Sequence, residues 1–250
     1  MLWGKEIQLG EGGQLVFAEG ISHPGPDVRR LTDMATVLYE PIPLDERPVY
    51  YMYRGVGHGA DMELFAEHGL RYDLTVILPG LFGREYTKTV GHFHPAVPDS
   101  EDTYTEYYEV LSGEALYLLQ KDSRSGDVEE IIAVAAKKGD KVFVPSGYGH
   151  VTVNPGEECL VMANLVESQF KSLYEPFRDK KGAAYYCVAG EKGKTEFIRN
   201  PNYHNSVGLK MMAAPSMAQP TEVVKSRGLY QAFVENPEAF KFLLGFGGAR

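Results

Sequence analysis

Cysteine is scarce in this chain of 250 residues: there are two, Cys159 and Cys187, and neither belongs to a metal-spaced pair. A disulfide framework is therefore not expected, and a reducing cytoplasm is the expected compartment. Positive charge is also short. Twenty-five Lys and Arg stand against 34 Asp and Glu, a formal net charge of −9. Without a long basic run, no nucleic acid and no anionic membrane is expected as a partner, and an anionic ligand must be met by a local site. Long apolar runs are missing too. The opening "MLWGKEIQLGEGG" lacks the apolar core of a signal peptide, and stretches such as "CLVMANLV" are far too short to span a bilayer. There is no Walker-type glycine loop, internal repeat or charged tail.

What remains is an ordinary globular balance, 44% hydrophobic and 24% charged. The middle of the chain is a succession of short β-prone runs: "LTVILPG", "EYTKTVGHFH", "TEYYEVLSG", "ALYLLQK", "EEIIAVAA", "KVFVPSG", "HVTVNPG" and "CLVMANLV". Gly, Pro, Asp and Asn separate them, which predicts an all-β sandwich or barrel rather than βαβ units. "PVYYMYRGV" adds a strand with Pro48 at its start, where a missing N–H does little harm. "AAYYCVAG" and "KTEFIRNP" predict a further hairpin through "GEKGK". Three helices are expected: "DVRRLTDMATVLYE" opened by Asp27, "GADMELFAEHGL" closed by Gly69, and "NPEAFKFLL" with Asn236 as cap and Pro237 in the first turn. "MMAAPSMAQP" reads as a linker or arm. The expected organisation is an N-terminal arm with a short helix over 1–48, a barrel over 49–205 within the same domain, and a C-terminal arm or helical extension over 206–250.

The stretch "TVGHFHP" puts two histidines one residue apart. In an extended strand His92 and His94 share a face, and Phe93 points the other way. The later stretch "GDKVFVPSGYGHVTVN" supplies His150 at the start of a strand. Between them lies "TEYYEVLSG", where Glu106 and Tyr108 share one face and Glu109 takes the other. Three imidazoles and a carboxylate make a mixed N/O donor set suited to Fe(II), Mn, Ni or Zn rather than soft Cu(I). Four protein ligands on an octahedral ion leave two adjacent positions free. Asp99, Glu101 and Asp102 also lie between the His pair and Glu106, in "PAVPDSEDTYT", and that insert reads as a loop. Glu106 is the chosen ligand because it sits in a strand-like run. His23, His58, His68 and His204 fit no motif and are expected to be structural or exposed.

Gly, His-x-His, Glu, Gly, followed by Gly, Pro-x-Gly, His, Asn, resembles the two-part signature of the cupin superfamily, with a longer spacing before Glu106 than that pattern has. The wider run "RRLTDM", "LTVILPGLFGREYTKTVGHFHP", "EYYEVLSGEALYLLQ" and "VFVPSGYGHVTVN" resembles the cupin-type glucose-6-phosphate isomerases of archaea and some bacteria. The resemblance runs from about Arg29 to Tyr203. It implies a jelly-roll β-barrel, a cytoplasmic homodimer, one divalent transition metal per subunit and a small sugar phosphate as substrate. The metal ligands it implies are His92, His94, Glu106 and His150. It also implies phosphate binding by Thr75, Thr89 and Gly91, and active-site tyrosines at Tyr108 and Tyr174. Glu106 is the expected base for aldose–ketose isomerisation, with a metal-assisted hydride shift as the rival route. Lys88 and Arg84 are near enough in sequence to add charge for the phosphate. In a regular strand Thr89 and Gly91 would face away from His92, so either a bulge intervenes or main chain holds the phosphate. Isomerisation of another sugar phosphate or a free sugar, a non-catalytic sugar-binding cupin and an Fe(II) dioxygenase are the alternatives on the same scaffold.

Overall fold

The structure, a computed structural model, describes residues 6–123, 126–204, 207–224 and 227–245. The ends of both arms, residues 1–5 and 246–250, lie outside the described residues. The N-terminal part carries β1 (Ile7–Leu9), β2 (Leu15–Phe17), β3 (Ile21–Ser22) and β4 (Asp27–Arg30), then helix α1 (Leu31–Met34). Next come β5 (Pro48–Tyr53), β6 (Gly57–His58), helix α2 (Met62–Glu67), β7 (Leu70–Ile77), β8 (Leu81–Phe82) and β9 (Glu85–Tyr86). The central run is β10 (Glu106–Ser112), β11 (Glu114–Asp122), β12 (Val128–Lys137), β13 (Lys141–Val144), β14 (Tyr148–Val153) and β15 (Leu160–Glu167). Helix α3 (Glu175–Asp179), β16 (Tyr185–Ala189), β17 (Thr195–Arg199), β18 (Lys210–Ala213) and helix α4 (Leu229–Glu235) complete the order.

Two sheets face each other. One has six strands in the order β13-β10-β15-β7-β5-β4, the other four in the order β14-β11-β12-β18. Between them lies an apolar core that includes Tyr108, Val110, Tyr117, Leu119, Val134, Val142 and Met162. The outer face of the six-stranded sheet is also covered. Tyr72, Tyr107, Ala163 and Leu165 pack there against Leu229, Phe233, Phe240 and Leu243 of the C-terminal segment. The four-stranded sheet is backed by Phe177, Ala184 and Cys187. Burial on both faces explains why β15 reads as a continuous apolar run instead of alternating, since every one of its residues is buried. It also explains Glu109. Its side chain points away from the interior, as the period-2 pattern requires, yet it is buried under the C-terminal segment and accepts the Leu229 N–H at 2.7 Å.

Several local expectations are corrected. Residues 27–30 form a strand, not a helix opened by Asp27. β4 pairs antiparallel with β5, and that long-range ladder overrides local helix propensity. Only Leu31–Met34 is helical there, with Asp33 accepting the Arg30 N–H at 2.8 Å. "EYTKTVGHFH" is regular strand only at Glu85–Tyr86 and then runs irregularly, joined to the barrel by the single bridges Lys88↔Val153 and His92↔His150. "NPEAFKFLL" is a 3-10 segment over Pro237–Leu244, and the Asn236 side chain makes no cap bond. "MMAAPSMAQP" begins inside β18, which pairs in parallel with β12. Helix α2 and the β16–β17 hairpin match expectation.

A titration sits at the end of β11. Burial pushes the Asp122 carboxyl up to about 6, although the Gln120 side-chain amide donates to it at 2.8 Å. An unfolded aspartate ionises near pH ~3.9. The native chain therefore holds a proton that the unfolded chain has released, and stability falls as pH rises through that window. Asp122→Asn keeps an oxygen for Gln120 and removes the charge. It is expected to stabilise by about 1 kcal/mol at pH 7.5, after discounting for partial solvent screening, and to be neutral near pH 4. Urea midpoints at the two pH values check this, and an equal shift at both contradicts it.

Candidate metal centre and active site

The site begins with a backbone pairing. His92 N–H donates to the His150 carbonyl at 3.1 Å, and His150 N–H returns the bond at 3.0 Å. This antiparallel bridge sets the two side chains on one face, with ring centroids 4.4 Å apart. His94 follows on the same side, its ring against Phe170 at 4.6 Å. Its Nδ1 lies 2.9 Å from the Tyr104 carbonyl, an acceptor only, so that nitrogen carries the proton and Nε2 presents its lone pair inward. That Nε2 is 3.2 Å from His92 Nε2 and 3.1 Å from Glu106 Oε2. Glu106 Oε2 is in turn 3.2 Å from His150 Nε2. One ligand atom from each of His92, His94, Glu106 and His150 lies within 4.8 Å of the others.

This arrangement fits a cation. Glu106 Oε2 is buried and makes no hydrogen bond of acceptable geometry, although two imidazoles are within 3.2 Å. Electron-rich atoms aimed at one point, rather than at one another, are what a divalent ion satisfies. The ionisation states agree. Burial, with His150 and His94 adding repulsion, holds the His92 imidazole well below its ordinary value, so it is the neutral, ligating form at neutral pH. Burial also lowers His150. Burial pushes the Glu106 carboxyl upward, but His150 and His94 outweigh it and hold the group well below the usual carboxylate range.

The insert before Glu106 has a structural role. It leaves the barrel after His94, makes an Ala96↔Thr103 bridge and docks on the Pro145–Gly147 turn. There Thr103 N–H donates to Ser146 Oγ and Gly147 N–H to Thr103 Oγ1, both at 2.8 Å. It then delivers the Tyr104 carbonyl to His94 and starts β10 with Glu106. Asp99, Glu101 and Asp102 are exposed on its outside and do not join the cluster.

Beside the cluster is a cavity enclosing about 630 Å³ of space outside protein atoms, its mouth included. Thr75, Thr89, Gly91, Tyr108 and Tyr174 all line it, together with His92, Glu106 and His150. Gly91 resolves the problem of strand facing. Its φ of +81° breaks the alternation, and a Cβ there would stand 2.4 Å from Val151 Cγ2. The chain can therefore present Thr89, Gly91 and His92 to one cavity. Tyr108 OH lies 3.0 Å from His150 Nε2, and burial, with the Glu106 charge adding to it, pushes the phenol well above its ordinary value, so it stays a donor. Tyr174 lies 5.6 Å from the His92 ring, with the Arg29 guanidinium 5.9 Å from its own ring centre.

Lys88 and Arg84 are not at the site. Lys88 is buried in an ion pair with Glu85, and Arg84 lies by Glu40 and Glu196. The cationic groups lining the cavity are Arg54 and Arg71. Sequence reading also missed Asp73, Thr152 and Asn164, which line it too. The signal was there for some of them. Asp73 and Arg71 extend the parity of Thr75 along β7, and Thr152 extends that of His150 along β14. His23, His58, His68 and His204 lie elsewhere. His23 stacks on Phe17, His58 and His68 stand near Glu6 and Glu238, and His204 is exposed.

Three imidazoles and one carboxylate converging between the sheets of a jelly-roll barrel define a cupin-type metalloprotein. The family model described as Glucose-6-phosphate isomerase (GPI) matches residues 28–205, and the chain belongs to that family. A glucose-6-phosphate isomerase from Thermococcus gammatolerans is 28% identical over 181 residues, covering 70% of this chain and 86% of that one. One from Thermococcus litoralis is 27% identical over 199 residues, covering 77% and 95%. Among solved structures, an oxalate oxidase in complex with glycolate overlaps 42% of each chain at 21% identity and a TM-score of 0.31. Among the described residues, no helix is long and apolar enough to cross a membrane.

Proposed function

We propose that this chain interconverts glucose 6-phosphate and fructose 6-phosphate at the His92–His94–Glu106–His150 centre. The observation that carries the reading is the convergence of four ligand atoms within 4.8 Å beside a cavity lined by threonines. The cation is Fe, Mn, Ni or Zn by donor chemistry, and when bound it supplies Lewis-acid polarisation of the two sugar oxygens next to the reacting carbons. Glu106 is the base: it takes the C2 proton and returns it to C1, while the hydroxyl proton on O2 passes to O1. Tyr108 donates a hydrogen bond toward the sugar oxygens, and Tyr174 closes the same wall. Thr75, Thr89 and the Gly91 backbone hold the phosphate. Support for this comes from Thr75, which lines the cavity and whose hydroxyl makes no hydrogen bond among the described residues, and from Thr152, whose buried hydroxyl beside Thr89 is unpartnered. The barrel over 49–205, its arm over 1–48, the extension over 206–250, a homodimer and a cytoplasmic setting belong to the same proposal and rest on the family resemblance.

A coupled assay with fructose 6-phosphate tests it. Activity is expected to vanish on EDTA treatment and to return with one of the four metals. Activity that survives EDTA, or none with any metal, overturns the reading.

A further inference from the structure

We propose that Asn164, with Asp73 beside it, is the specificity-determining subsite for the C3 and C4 hydroxyls of an open-chain hexose phosphate. The inference rests on the isomerase reading of the same cavity and concerns what that cavity selects. Strand register carries it. Across three neighbouring strands of the six-stranded sheet, Tyr108 pairs with Asn164 and Asn164 with Asp73. One row further along, Val110 pairs with Met162 and Met162 with Thr75. Glu106 lies two residues before Tyr108 on the same face, so it stands one row to the other side. Each row is about 6.8 Å from the next. The row of Asn164 and Asp73 therefore lies between the carboxylate of the metal centre and the threonine assigned to the phosphate. A six-carbon chain held at C1–C2 by one end and at its phosphate by the other must lay its middle carbons across that row.

The side chains there are equipped for hydroxyls. Asn164 lines the cavity, is 5% exposed, and its amide makes no hydrogen bond among the described residues. The amide opens onto the cavity instead of being sealed in protein, so a ligand hydroxyl can reach both its donor and its acceptor. Asp73 is held in place: its Oδ1 accepts the Gly55 N–H and its Oδ2 the Arg71 Nε–H, both at 2.9 Å. Arg71 is itself fixed by the Ser168 carbonyl at 2.8 Å. Each Asp73 oxygen keeps a lone pair for a hydroxyl, while Asn164 offers both a donor and an acceptor. A site built to hydrogen-bond hydroxyls rejects an analogue that lacks them, because its own buried polar groups are then left unpaired.

The test uses metal-loaded full-length protein and titration calorimetry with D-sorbitol 6-phosphate, an open-chain analogue that cannot isomerise, and with its 3-deoxy and 4-deoxy congeners. The wild type is expected to bind the parent about 100-fold more tightly than at least one congener. In Asn164→Leu that ratio should collapse to within about 3-fold, with metal content and the affinity for inorganic phosphate unchanged. Asn164→Ser, which restores one hydroxyl, should recover part of the ratio and guards against a folding defect in the leucine variant. Equal binding of parent and both congeners by the wild type overturns the proposal, as does an equal loss for all three ligands in the variants. Discrimination that depends on Asn164 in a protein that never turns over fructose 6-phosphate would leave the subsite standing and remove the isomerase reading.

Discussion

Glu106→Gln is expected to lower turnover of fructose 6-phosphate by about 10³-fold or more while weakening metal binding only in part. The amide keeps a donor oxygen beside three imidazoles, so the cluster still offers four ligand atoms. What it loses is a group that can accept a proton. The carboxyl sits well below the usual carboxylate range, which suits a base that must start unprotonated. In deuterated solvent the wild type should place deuterium at the transferred position, because a proton resting on a carboxylate exchanges before its return. A hydride shift would carry the original hydrogen across. Undiminished turnover in Glu106→Gln, or product free of solvent deuterium, removes the base role from Glu106. Metal content measured on the same samples separates loss of chemistry from loss of the ion.

Lys88→Met should be the most damaging single change to stability outside the metal centre. Lys88 and Glu85 are 4% and 1% exposed and form an ion pair. The ammonium also donates to the Val37 carbonyl at 2.6 Å and lies 5.2 Å from the Tyr186 ring centre. The other carboxylate oxygen accepts the Tyr39 N–H at 2.9 Å. The pair thus pins residues 37–39 of the N-terminal arm to the barrel. Burial pushes the Glu85 carboxyl up, and the Lys88 charge opposes it. Without Lys88 a carboxylate is left buried and uncompensated, a change that costs about 3–5 kcal/mol. For a chain of this size that corresponds to roughly 10 °C in Tm. Lys88→Met combined with Glu85→Gln should recover most of the loss, since the charge to be hidden is gone. A single variant as stable as the wild type in urea would show that water reaches the pair.

The candidate ligand cluster was legible because much of its information is local. His92 and His94 are two residues apart, and so are Glu106 and Tyr108, whose shared face on β10 follows from period-2 alternation. Strand-rich runs separated by turn residues gave the barrel for the same reason. The helix expected over 27–40 failed because nothing in that stretch reports that β5 waits to pair with it. Glu109 was read correctly as facing away from the site. Its burial came from Leu229, 120 residues later.

By itself, then, the order of residues determined which side chains could ligate a metal and which family's chemistry they suit. Only the folded chain decided what surrounds them. Arg71, Asp73, Asn164 and Thr152 reach the cavity through the register of strands far apart in sequence, and register is set by long-range packing that no short window contains. The turn at Gly91 and the carbonyl of Tyr104 likewise act through space, one aiming His92 and the other fixing the His94 tautomer.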